Sequence, residues 1–82
     1  MSAEIQHLLQ LAKHRGLQFQ EGGWSKADVF WSKGPMPEDV RAAGHASPNL
    51  EYHKVPEMPW TCAYEHFFDP KAKVAIVFEI EQ

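Results

Sequence analysis

The side chains able to do chemistry are few and widely spaced. Five histidines stand at positions 7, 14, 45, 53 and 66, with a single cysteine at 62. Imidazole is the commonest metal ligand, and its charge changes nearest neutral pH. A metal centre is therefore the first chemistry to test. His7 and His14 can share one helix face, but two turns hold them roughly 10 Å apart, too far to chelate one ion. His45, His53 and His66 fall on separate segments, and no His-Glu-x-x-His or similar compact spacing joins them. The pattern predicts surface or hydrogen-bonded histidines, with no metal and no other cofactor.

Cys62 paired with His53 or His66 would make a thiolate nucleophile, which needs a neighbouring imidazolium to stabilise it. His66 is four residues away, roughly 13 Å along one strand, beyond hydrogen-bond reach. His53, on a neighbouring strand, has better reach. A small buried apolar residue in a sheet is the simpler expectation for Cys62. Glu79 and Glu81 share one strand face in the manner of solvated charges, and Glu65 has no partner that the sequence names. Gly22-Gly23 lacks the remainder of any phosphate-cradling loop. No catalytic set is expected.

The aromatic residues say more. They are Phe19, Trp24, Phe30, Trp31, Tyr52, Trp60, Tyr64, Phe67, Phe68 and Phe78. Core positions are expected for Phe19, Trp31 and Phe78. Successive strand residues face opposite ways, so Phe67 and Phe68 cannot both enter a one-sided core, nor can Phe30 and Trp31. Two arrangements fit. Either one sheet face shows an aromatic patch, the mark of a binding surface or homodimer interface, or the irregular stretch 45–60 drapes over that face. The residues expected at such a site are Tyr52, His53, Trp60, Tyr64 and His66. Trp60, beside Pro59 on a loop, is the residue most expected near such a site.

The elements that must position these residues can be read in order. Ile5, Leu8, Leu9 and Ala12 form one stripe of a 3.6-residue period. Ser2 caps the start of this helix, and Glu4 suits its dipole. Lys13, His14 and Arg15 crowd its end, where Gly16 supplies a left-handed cap. A strand is expected over 17–21, a turn at Gly22-Gly23, and a returning strand over 24–31 with Ala27, Val29 and Trp31 on one face. Pro37 opens a short helix over 37–43, with Gly44 after its end. Further strands are expected over 51–55 and 61–68. Asp69 to Lys73 turns the chain into a last strand over 74–80. There Val74, Ile76, Phe78 and Ile80 oppose Ala75, Val77 and Glu79. The order α-β-β-α-β-β-β predicts an α+β fold: one antiparallel sheet of four to five strands with the first helix across a face.

Composition sets the limits. A chain of 82 residues and 9.4 kDa accommodates a single domain, taken as 1–82. Hydrophobic residues make up 44% and charged residues 23%, which argues against disorder. A formal charge of −3 disfavours a nucleic-acid binder. Such a role would need Lys13, Arg15, Lys26, Lys33 and Arg41 in one patch. Residues 1–41 carry five basic and five acidic residues, whereas 42–82 carry three and six. The acidity thus sits with the aromatic half, which points to a neutral or basic partner. The lone cysteine and the absence of a long apolar run suggest a cytoplasmic protein with no membrane contact. The expectation is a non-enzymatic interaction domain that binds a protein partner or dimerises through an aromatic sheet face or edge. The alternative is a small-molecule-binding domain or small enzyme with a pocket between the sheet and the 45–60 loop.

Overall fold

A computed structural model describes residues 2–80 as two helices and one five-stranded sheet. The elements are α1 (Ala3–His14), β1 (Gln20–Trp24), β2 (Ala27–Ser32), α2 (Glu38–His45), β3 (Glu51–Val55), β4 (Tyr64–Asp69) and β5 (Val74–Glu79). This is the expected α+β order. Glu81 lies outside the described residues, so its pairing with Glu79 does too.

The signals at both ends of α1 operate as written. Ser2 Oγ accepts from the Ile5 amide at 3.2 Å. At the other end Gly16 takes φ 87°, and the amides of Gly16 and Leu17 close onto the carbonyls of Lys13 and Ala12. Ile5, Leu8, Leu9 and Ala12 are buried.

The first hairpin is shifted from the expected place. Its turn is Ser25-Lys26, because Trp24 pairs with Ala27 and Gln20 with Trp31. Ser25 takes φ 49°, the positive value a two-residue hairpin turn demands. Gly22 and Gly23 lie within β1 opposite Val29 and Asp28. The helix α2 also runs two residues further than expected, and Gly44 is inside it. A Cβ there would sit 2.3–2.7 Å from the Phe67 ring, so the glycine permits the helix to approach the sheet.

The strand order is β1-β2-β5-β4-β3. Pairing is antiparallel except between β2 and β5, which run parallel, Asp28 opposite Val74 through Ser32 opposite Phe78. The sheet is therefore mixed, not purely antiparallel. The cause lies in the crossover: after β2 the chain passes through α2 to the far edge, forms β3 and β4, and returns β5 into the gap beside β2.

Both helices lie on one face of this sheet. Val74, Ile76 and Phe78 of β5 and Phe67 of β4 pack there with Ile5, Leu8, Leu9, Met36 and Val40, while Phe19 and Phe30 flank the cluster. The opposite face carries Val29, Ala75 and Val77, packed only with Trp24, Trp31, Tyr64 and Phe68. Trp31 is thus not a core residue. Its strand places it with Val29 on the face away from the helices, and Phe30 takes the core position.

Candidate functional site

The face away from the helices is covered by its own aromatic side chains. Trp24 stands on the edge strand β1, yet its ring centroid lies 5.8 Å from Tyr64 and 5.2 Å from His66 on β4. Strands three places apart are separated by roughly 14 Å, so the indole must reach across β2 and β5. Trp31 meets Trp24 edge-on at 6.5 Å and Tyr64 at 5.9 Å. These offset and edge contacts are the arrangements aromatic rings favour. The hydrophobic residues packed in this cluster come from strands β1, β2, β4 and β5 alone, and from 45–60 His53 of β3 joins it by stacking on His66. Of the two arrangements expected, the aromatic patch is the one observed.

His53 and His66 face each other across β3 and β4, with ring centroids 5.1 Å apart and planes 26° apart. His66 Nδ1 is buried without a hydrogen-bond partner. Burial, with a contribution from neighbouring His53, pushes its pKa down to about 4, so the ring is neutral at pH 7. His53 Nε2 lies 3.3 Å from Glu51 Oε1.

Beside Trp24 the surface sinks into a groove of about 460 Å³. Trp24, Ala27 and Phe68 give it apolar walls, His53 and His66 form its β3–β4 side, and Lys26 and Lys73 also line it. A second depression of about 340 Å³ lies along β1, where Gly22, paired with Val29, leaves no side chain beside it; Trp31, Lys33 and Glu79 also bound it. Trp24 belongs to both. The groove thus opens on the face away from the helices, with Glu51 and His53 of the 45–60 stretch on its border.

The five expected site residues part company. His53, Tyr64 and His66 come together on the open face. Tyr52 points to the helix side, packing on Phe67 and His45. Trp60 is 77% exposed on a turn closed by the Met58–Thr61 bridge and borders none of these hollows. Trp24, Trp31 and Phe68 complete the patch and were not singled out as site residues. Their parity on the strands was the available signal.

Two further polar groups gain partners that sequence spacing did not name. Glu65 is buried on the helix side, where Arg41 of α2 donates two hydrogen bonds at 2.9 and 2.7 Å and the Tyr52 hydroxyl donates a third. Burial disfavours the Glu65 charge, but these donors overcome it and hold the carboxyl below its ordinary range. Burial and the adjoining carboxylate raise the Tyr52 hydroxyl. Glu65 shares a face with Phe67, and a charge on a core-facing position needs a partner; that was the readable signal. Cys62 is exposed, and its thiol donates to Glu79 Oε1 at 2.8 Å. That hydrogen bond raises the thiol pKa, so Cys62 is a poor nucleophile and is not paired with His53 or His66.

The basic residues considered for nucleic acid do not assemble. Arg15 is bound to Asp39 and Arg41 to Glu65, while Lys26 and Lys33 border different hollows. Among the described residues, no three His, Cys, Asp or Glu side chains cluster to hold a metal, and no helix is long and apolar enough to cross a membrane. Compared with known proteins, the chain matches no family model, no curated protein and no solved structure.

Proposed function

We propose that this chain is a non-catalytic interaction domain that docks a protein partner, or a second copy of itself, on the open face of its sheet. The observation that carries this reading is the aromatic layer of Trp24, Trp31, Tyr64 and Phe68 on a sheet face that no helix covers. Aromatic residues around an apolar centre are the usual composition of an interface core. Glu79 at the margin and the acidic second half favour a neutral or basic partner surface. The cytoplasm is the matching location, since an exposed free thiol stays reduced there.

The test is sedimentation velocity over a wide concentration range, joined to affinity capture with the wild type and with Tyr64→Lys. Trp60→Ala serves as a second variant, away from the face. The expected result is a dimer or a specific captured protein that Tyr64→Lys loses and Trp60→Ala keeps, with both variants retaining the wild-type circular dichroism. A strict monomer whose captured proteins are unchanged by Tyr64→Lys would sink the reading.

A further inference from the structure

The groove at one end of the open face has a chemistry of its own. It is lined by the rings of Trp24 and Phe68 and by the stacked pair of His53 and His66, the last in edge contact with Trp24. Its volume of about 460 Å³ falls within the range of small-ligand pockets, roughly 300–1,000 Å³. Two lysines, Lys26 and Lys73, are among its lining residues, both exposed. Neither makes an ion pair among the described residues. The carboxylate at the groove, Glu51, is on the opposite side and already lies against His53.

The placement of the two lysines is a product of the fold. Lys26 is in the β1–β2 turn and Lys73 ends the β4–β5 turn, 47 positions later. The parallel pairing of β2 with β5 brings the turns together, and the Asp28 amide donates to the Lys73 carbonyl at 2.9 Å. Two lysines outside any ion pair among the described residues therefore border one aromatic groove. A ring would be held by stacking and by apolar burial. A carboxylate on that ring would accept charge-assisted hydrogen bonds from the lysines.

We propose that this groove is a binding site for a free, small, planar aromatic carboxylate, with the ring laid against the side chains of Trp24, Phe68 and His53 that line it and the carboxylate on Lys26 and Lys73. The assignment goes beyond the docking role. The groove occupies one end of the face and shares Trp24 and Phe68 with the docking layer, so the ligand binds while that end is uncovered.

The experiment titrates three probes of one shape into the full chain: 2-naphthoate, 2-naphthylmethanol and 2-naphthylmethylammonium. Binding is followed by tryptophan fluorescence and by two-dimensional NMR of the backbone and indole N–H groups. For a ligand of this size the naphthoate Kd should be on the order of 0.1–1 mM. The alcohol should bind about tenfold more weakly, and the ammonium should not saturate. Shift changes should centre on Trp24, His66, Phe68 and Lys73. The double variant Lys26→Gln/Lys73→Gln, both at exposed positions, should fold normally and bring naphthoate down to the affinity of the alcohol without changing the alcohol itself. The site is refuted if no probe saturates, if naphthoate and the alcohol bind alike, if the double variant leaves naphthoate unaffected, or if the shifts centre on Trp60 instead.

Discussion

At the scale of single residues, the costliest group in this protein is the Glu65 carboxylate. It is 6% exposed in its side chain, against 32% for its partner Arg41. Arg41→Ala leaves a buried charge with only the Tyr52 hydroxyl, and should destabilise the fold by about 3 kcal/mol, at the low end for buried pairs because Arg41 is partly solvated. Urea denaturation measures this, and Arg41→Met/Glu65→Leu should recover most of the loss. His66 sets a separate pH dependence. Its folded pKa of about 4 lies below the ordinary histidine value of 6.5. The unfolded chain therefore takes up a proton first as pH falls. The stability contributed by neutral His66 is complete above pH 6.5 and drains away towards pH 4. Urea midpoints at pH 7 and pH 4.5 should differ less in His66→Phe than in the wild type. Both effects rest on side chains whose types were plain in the sequence and whose partners were not. Tyr52, Glu65 and Arg41 are on β3, β4 and α2, and only the folded chain brings them to one point.

At the scale of elements, local signals succeeded where one residue decides a geometry. Ser2 and Gly16 bound α1 because a cap and a positive φ are local requirements. Gly22-Gly23 misled for an instructive reason. Glycine permits a turn but does not demand one, and the register of Val29, Trp31 and Trp24 over a shared apolar face outweighed it. Gly44 likewise resembled a helix stop, although its role is to let α2 rest on Phe67. Gly44→Ala should cost about 1–3 kcal/mol through overpacking, even though alanine is the better helix former. Phe67→Leu placed on the Gly44→Ala background should cost less than Phe67→Leu alone, which a double-mutant cycle by thermal or urea unfolding would show.

At the scale of the whole molecule, the two faces of one sheet have separate duties. Ile76 points into the helix-covered core, and Ile76→Ala should cost about 2–5 kcal/mol while leaving the open face intact. The open face was half legible: alternation required an aromatic surplus there, but the span of Trp24 across two strands depends on side-chain direction and strand order. The long-range step that sequence could not disclose is the parallel contact between β2 and β5. Everything before β5 amounts to two hairpin-like pieces, β1 with β2 and β3 with β4, that share no backbone hydrogen bonds. Among the described residues the final strand is the one strand paired with both, buried on both sides over Val74–Phe78. During synthesis no native sheet exists until that strand leaves the ribosome, so the nascent chain must keep its apolar strands apart without it. A chain stopped at Lys73 should remain unfolded by circular dichroism, and supplying residues 74–80 as a separate peptide should close the sheet, as a zip fastener joins two unattached halves.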